Sequence, residues 1–246
     1  MSNLLTHCGS KRCSLEQLLT IPEPDKTKTY TPLNHYDFAV NVRSVTSDLL
    51  RDFTFVGDNY ALSSDGQKMF GVLTFSERSS FDDKFLNLSI GLRNSYDKSM
   101  AAGLCVGASV IVCDNLMFRG DITILRKHTG ETMHEDLLDQ LVTAIYKSQH
   151  QFTQLSDDAR AMRKVPMSTK AGFEYLGVLT GEKILSPTQS TKAFDELRNP
   201  SHQEFQEASL WSCYNHATEA LKSSSPQSIV KNHMKLHKLT HNLYLN

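Results

Sequence analysis

Basic, amide and aromatic side chains are concentrated in the middle of this 246-residue chain, in three short segments that follow or end predicted strands. Arginine and lysine make charge-assisted hydrogen bonds with phosphate, and aromatic rings stack on exposed bases. The same residue types also close turns and pair with buried backbone, so a structural role is the alternative. The candidates for contact with nucleic acid are Arg93, Asn94, Tyr96, Lys98, Phe118, Arg119, Arg126, Lys127 and His128.

Catalysis needs carboxylates, histidines or thiols that converge, and no sequence motif brings such groups together. The chain has neither a phosphate-binding loop nor a dinucleotide-binding glycine motif, and His134-Glu135 lacks the second histidine of a zinc-protease helix. We therefore expect a binding protein rather than an enzyme, without a metal or other cofactor. Catalysis would require the tertiary fold to bring together groups that lie far apart in the sequence. The candidates for such a site are Asp97, Cys113, Asp114, Asp121 and His128.

A run of histidines near the C-terminus raises a separate hypothesis. His233, His237 and His241 recur at every fourth residue and would share one face of a helix, which is compatible with a metal site. Lysines are interleaved with them, so the histidines and lysines together would form a cationic face opposite Leu236, Leu239 and Leu243. Docking of an amphipathic helix and contact with phosphates are therefore the alternatives.

The overall composition is that of an ordinary globular chain. Hydrophobic residues make up 39% and charged residues 22%, and the net charge is −1. A nucleic-acid-binding surface must then be a local basic patch, because the chain as a whole is not basic. No segment approaches the roughly 18 apolar residues of a membrane span, and the N-terminus lacks a secretory signal pattern. We expect a cytoplasmic protein that makes no membrane contact.

Hydrophobic periodicity predicts an α+β fold in which a long helix packs on one face of an antiparallel sheet of four to five strands. Residues 60–75 form the clearest hairpin, with a Ser-Asp-Gly turn between two strand-like arms. Further strands are predicted over residues 85–94, 106–113 and 121–128. The period becomes helical from residue 137, which predicts a helix over about 132–152.

This order of elements predicts a single domain and a tail. The domain covers residues 1–222, with the sheet at about 53–129 and a helical part over 132–222. A short serine-rich linker separates it from a basic helical tail over residues 223–246.

Several of these segments resemble the signature of phage- and plasmid-borne proteins called domain of unknown function 932. The central matches are residues 93–99, 112–116, 118–121 and 126–129, and supporting ones are 6–9, 64–72 and 210–215. The resemblance runs nearly end to end and implies a mobile-element origin and a cytoplasmic protein. It implies no activity, because the family has none assigned. Members often carry histidine at the position of Tyr96, which weakens any idea of a catalytic histidine there.

Two functional hypotheses follow. The predicted order of a hairpin, further strands and a long helix is similar to the core of single-strand annealing proteins that form rings. A homo-oligomeric phage or plasmid protein for recombination would hold single-stranded DNA through Arg93, Lys98, Arg119, Arg126 and Lys127, with Tyr96 or Phe118 stacked on bases. The alternative is an inhibitor of a host defence system that acts by binding a host protein, which a near-neutral surface suits equally well.

Overall fold

Seven β-strands and seven α-helices make up most of the part of the chain that the computed structural model describes, which comprises residues 10–78, 86–110, 116–117, 123–130, 132–224 and 228–246. The predicted α+β class is confirmed. The strands are β1 (Lys11–Cys13), β2 (Phe53–Leu62), β3 (Lys68–Glu77), β4 (Leu86–Ser95), β5 (Ala102–Val110), β6 (Leu116–Met117) and β7 (Thr123–Arg126).

These strands form one antiparallel sheet in the order β1-β2-β3-β4-β5-β6, and β7 pairs with β5 beside β6. The sheet therefore has more strands than the four to five predicted. The additional strands β1 and β6 have three and two residues, which is too short for an alternating hydrophobic pattern. The β2–β3 hairpin turns where predicted, and Gly66 adopts the positive φ of 70° that glycine tolerates without strain.

The helices are α1 (Leu15–Leu18), α2 (His35–Leu49), α3 (Met133–Lys164), α4 (Thr169–Gly181), α5 (Pro187–Arg198), α6 (Leu210–Leu221) and α7 (Ile229–Tyr244), with a short 3-10 helix at Gln203–Phe205. Helix α3 packs against β5 and β7, as predicted for the long helix. It continues to Lys164 rather than ending near residue 152, because no helix-breaking residue occurs before Pro166. None of the helices in the described part of the chain is both long and apolar enough to cross a bilayer.

Strand β3 shows that the sheet has two different faces. Met69 and Leu73 are fully buried, whereas Phe70 and Val72 between them are half-buried. The buried set lies toward the helices, since the ring of Phe53 on that side meets Phe152 of α3 edge-on at 5.4 Å. We call this side the core face. The opposite side, with Phe70 and Val72, is the outer sheet face.

Helix α7 buries its histidines, contrary to the predicted cationic face. His233 and His237 are 0% and 2% exposed and lie on the same side of the helix as the buried Leu236. Thr240 is also buried there and lies 2.7 Å from the hydroxyl of Tyr175 in α4. The lysines of the helix are exposed on the opposite side. Helix α7 therefore packs against the other helices through histidine and threonine side chains as well as through Leu236.

Two glycine-to-alanine changes should have opposite effects on stability. A Cβ atom on Gly71 would lie 2.8 Å from Cδ1 of Tyr60, whose ring is buried on the core face. Because overfilling a packed core costs about 1–3 kcal/mol, Gly71→Ala should lower the free energy of unfolding by that amount. Gly177 is exposed in α4 and has no atom within 4 Å of the added Cβ. Gly177→Ala should therefore raise stability by about 0.5–1 kcal/mol.

Unfolding in urea measures both changes in the same assay. Equal stability of the Gly71→Ala variant and the unmodified protein would contradict the close packing of Tyr60 on Gly71.

Candidate nucleic-acid interface

Two of the polar segments singled out in the sequence, those of Arg93–Lys98 and Arg126–His128, meet at one end of the sheet. The ring of Tyr30 lies between two of them, with Nζ of Lys98 at 4.6 Å and the ring of His128 at 5.5 Å from its centroid. The amide of Tyr96 donates a 2.7 Å hydrogen bond to the carbonyl of Gln67 in the β2–β3 turn. The β4–β5 turn, the end of β7 and the segment before α2 thus form one cluster.

Three of the predicted contact residues lie inside this cluster rather than on its surface. Asn94, Tyr96 and His128 are 0%, 3% and 5% exposed. The ring of Tyr96 is stacked on His35 with centroids 3.8 Å apart, and its hydroxyl accepts a hydrogen bond from the amide of His35 at 3.0 Å. Tyr96 or Phe118 was predicted to stack on bases; the ring of Tyr96 is stacked on His35 instead, and Phe118 lies outside the described residues.

Hydrogen bonds show what these interior side chains do. Nδ2 of Asn94 lies 2.6 Å from the carbonyl oxygen of Leu33 and 2.9 Å from Nδ1 of His35. Nε2 of His35 lies 3.3 Å from the carbonyl oxygen of Gly66, so Nε2 donates there and Nδ1 accepts from Asn94. Burial lowers the pKa of His35 to about 4, which keeps the ring neutral in this arrangement. These bonds hold the start of α2 against the sheet.

The remaining candidates at this end of the sheet differ in ion pairing and in exposure to solvent. Arg126 is engaged, because its Nη2 lies 2.7 Å from Oδ2 of Asp136 at the start of α3. Lys98 and Lys127 are exposed. Phe118 and Arg119 lie outside the described residues, as do the proposed catalytic candidates Cys113, Asp114 and Asp121.

Arg93 differs from all of these, because it lies on the outer sheet face. Its side chain crosses Gly103 of β5: a Cβ atom on that glycine would be 3.0 Å from Nε of Arg93 and 3.0 Å from Cδ2 of Leu125. The absence of a side chain on Gly103 thus makes room for the arginine. Arg93 is half-buried, and none of the described residues forms an ion pair or a side-chain hydrogen bond with it.

Strand register places Arg93 in a row of side chains that crosses the outer sheet face. Its direct neighbour on β3 is Phe70, and its neighbour beyond Gly103 is Leu125 on β7. On the other side of Phe70 the row continues through Ala61 to Arg12 on β1. The ring of Phe70 therefore lies between two arginines. Arg93 is one strand away, at a strand spacing of roughly 5 Å, and Arg12 is two strands away.

Arginine and lysine are the charged side chains of the outer sheet face. Among the described strand residues that register assigns to it, Arg12, Lys68 and Arg93 are basic and none is acidic. Lys68 is paired, because its Nζ lies 3.1 Å from Oδ2 of Asp97 in the β4–β5 turn. Toward the middle of the sheet Ser89 and Gly107 are buried, so the accessible part of this face is the end that carries Phe70 and Arg93.

Arg93 was predicted from the sequence as a contact residue, but its neighbours on the outer sheet face were not. Phe70 was assigned only to the predicted hairpin, and Arg12 and Lys68 were not considered. Alternation along β3 does indicate that Phe70 and Lys68 lie on the face opposite Met69. Nothing in the sequence indicates that β3 lies between β2 and β4 with Phe70 directly beside Arg93.

Thiol and metal chemistry find little support in the described residues. Burial raises the pKa of the Cys105 thiol to about 12, which removes it as a nucleophile near neutral pH. No group of three or more histidine, cysteine or acidic side chains is arranged to hold a metal ion in the described part of the chain.

Comparisons with models of protein families, with curated proteins and with solved structures gave no match to this chain. The resemblance to domain of unknown function 932 therefore stays a prediction from the quoted segments, and the functional argument depends on the geometry of the outer sheet face.

Proposed function

We propose that this protein binds single-stranded DNA on its outer sheet face, as a recombination or annealing protein of a mobile element would. The observation that carries the proposal is the position of Arg93. Arg93 is half-buried beside the ring of Phe70, and it has no anionic partner among the described residues. A phosphate group supplies that partner, since the planar guanidinium matches the geometry of phosphate oxygens.

Single-stranded nucleic acid suits this surface better than duplex. Bases of a single strand are free to stack on Phe70, whereas those of a duplex are already stacked on one another. A sheet face with an aromatic residue is also a common platform for unpaired bases. Lys98 and Lys127 lie exposed at the nearby end of the sheet and add positive charge there, whereas Lys68 is paired with Asp97.

Binding of a labelled oligothymidine, followed by fluorescence anisotropy over a series of salt concentrations, tests the proposal. Each phosphate neutralised on a single strand contributes about −0.7 to the slope of log K against log salt, so contacts with Arg93, Lys98 and Lys127 predict a slope of roughly −2. Arg93→Gln should weaken binding and make the slope about 0.7 shallower. Phe70→Ala should lower affinity by about 1–3 kcal/mol and leave the slope unchanged, because stacking releases no counterions.

Lys164→Gln is the matched control, since Lys164 is exposed at the end of α3, away from the outer sheet face. It should leave both affinity and slope unchanged. Absence of binding at low salt would refute the proposal, as would binding that is insensitive to both Arg93→Gln and Phe70→Ala.

One observation favours the second candidate function, which is inhibition of a host defence system by binding a host protein. Leu125 is 55% exposed next to Arg93, and an exposed leucine beside an arginine suits a protein partner. Leu125→Ser distinguishes the two candidates. It should leave affinity for oligothymidine within about twofold if phosphate and base contacts dominate, whereas it should abolish binding to a protein that covers this residue.

A further inference from the structure

The row of side chains that contains Arg93 has a definite direction and a definite length. Register pairs its members directly from strand to strand, and they are Arg12, Ala61, Phe70, Arg93, Gly103 and Leu125. Residues directly opposite each other on neighbouring strands point to the same face of a sheet. The row therefore runs at right angles to the strands, and its five strand spacings of about 4.8 Å give a length of roughly 24 Å.

The larger side chains of this row alternate in chemical type. Arg12 is exposed, and Phe70 and Arg93 are half-buried. Ala61 and Gly103, which separate them from their neighbours in the row, are buried and have little or no side chain. A ligand that follows the row thus meets a guanidinium group, an aromatic ring and a second guanidinium group in turn. A single-stranded polynucleotide presents phosphates and bases in the same alternation.

Charge distinguishes the row from the direction along the strands. From Phe70 toward the middle of the sheet, the next residues of β3 on this face are Val72 and Thr74, which carry no charge. In the other direction the next residue is Lys68, whose charge is paired with that of Asp97. A strand of DNA that lay along β3 would therefore meet no basic partner for its phosphates at these positions. A strand that follows the row meets an arginine on each side of the aromatic ring.

Burial closes the route along β4 and β5. Ser89 is 1% exposed, and Cys105 and Gly107 are also buried. All three belong to the outer sheet face, toward its middle. A polymer that approached Arg93 along β4 would have to leave the sheet surface there, so the row is the path that leads through the guanidinium group.

We propose that the outer sheet face takes a short segment of single-stranded DNA that crosses the β-strands along this row, an inference that rests on the function proposed above. Phosphates of a strand stacked as in a duplex are about 3.4 Å apart, and those of an extended strand are about twice as far apart. A row of roughly 24 Å therefore holds about four to seven nucleotides. The substrate is accordingly an unpaired segment of a few nucleotides, such as an overhang or a gap.

Fluorescence anisotropy with labelled oligothymidines of about 2 to 20 nucleotides, which spans the usual site sizes of single-strand-binding folds, tests the length. Affinity and the slope of log K against log salt should both grow up to about four to seven nucleotides. Beyond that length the slope should stay constant, and affinity should rise only in proportion to the number of positions that the strand offers. A slope that keeps growing up to the longest strand would contradict the short site.

Three substitutions test the direction, with an oligothymidine of about eight nucleotides at about 0.1 M salt, where charges more than about 10 Å apart are screened. Arg12→Gln should weaken binding about threefold to tenfold, because it removes a charged contact from the row. Lys11→Gln is the matched control, since Lys11 is exposed on the same strand but pairs with Leu62 on the opposite face. Thr74→Glu places a negative charge about 13 Å along β3 from Phe70. Both of these variants should keep their affinity within about twofold.

Failure of this inference differs from failure of the proposed function. If binding depends on Arg93 and Phe70 but Thr74→Glu weakens it more than Arg12→Gln does, the strand lies along β3 and the crossing direction is wrong. Equal effects of Arg12→Gln and Lys11→Gln would also overturn the inference. Absence of binding to every oligothymidine would instead refute the proposed function itself. Circular dichroism establishes that each variant is folded.

Discussion

Acidification from pH 7 to pH 4 should destabilise this protein by several kcal/mol, and His216 should account for a large part of the loss. Burial lowers the pKa of His216 to about 4, and His35 has a similarly lowered pKa. His216 is 2% exposed and meets the ring of Phe205 edge-on at 6.4 Å. The folded chain therefore holds both rings in the neutral form at a pH where the unfolded chain protonates them.

The sign of the effect follows from proton counting. Between the unfolded pKa near 6.5 and the folded pKa of about 4, the unfolded state binds more protons than the folded state, so stability falls as pH falls. Each histidine contributes up to about 1.4 kcal/mol per pH unit in this window, and about 3 kcal/mol in total at pH 4. The stabilising contribution is fully present above about pH 6.5.

Urea unfolding at pH values from 7 to 5 measures this slope. His216→Leu removes the proton that His216 takes up on unfolding. The slope of the unfolding free energy against pH should therefore fall by about 1.4 kcal/mol per pH unit in the middle of the window. The interpretation would be wrong if the slope of the His216→Leu variant equalled that of the unmodified protein.

Replacement of Asp158 with alanine should lower the free energy of unfolding by about 3 kcal/mol. Oδ2 of Asp158 on α3 lies 3.1 Å from Nε2 of His237, and Oδ1 lies 3.3 Å from Nδ1 of His241. His237 is 2% exposed, so water cannot replace the lost acceptor without entering the helix interface. The change should act on α7 first, since both histidines belong to that helix.

Hydrogen exchange of residues 229–244 together with urea unfolding checks this expectation. Exchange in α7 should become faster in Asp158→Ala than in the unmodified protein. Asp157→Ala is the matched control, because its carboxylate is 66% exposed and pairs with Arg160 one turn away. Such surface pairs contribute under about 1 kcal/mol. Equal stability of the two variants would show that Asp158 does not hold α7 in place.

The core face was predictable from the sequence only as a set of apolar residues. Alternation over residues 85–94 identified Leu86, Leu88, Ile90 and Leu92, which are all buried. The long stripe of α3 identified the helix that covers part of the core face. The polar members of the interior were not predictable. Asn94, Tyr96 and His128 were interpreted as surface contacts because their types suit phosphate and bases, and nothing in a local pattern reveals that His35, sixty residues away in the sequence, stacks on Tyr96.

The histidines of α7 illustrate the same difficulty on a helix. Their spacing established one shared face, but spacing does not distinguish a face that points to water from one that points to Asp158. From residue type alone, the histidines were expected to face solvent and Leu236, Leu239 and Leu243 to face the interior. In the structure Leu243 is exposed and His233 is buried. The choice depends on which carboxylates and hydroxyls the neighbouring helices supply.

The sequence alone determined what short-range physics controls: the α+β class, the hairpin turn at Gly66, the antiparallel strands and the helical second half. These follow from turn chemistry and from periods of two and 3.6 residues, which a chain expresses locally. Only the tertiary structure decided which side chains are neighbours across strands. The row from Arg12 through Phe70 and Arg93 to Leu125 crosses six strands and brings together side chains from positions 12 to 125 of the chain. Register, and not residue type, created that surface, because a shift by one residue would have turned each of these side chains to the core face.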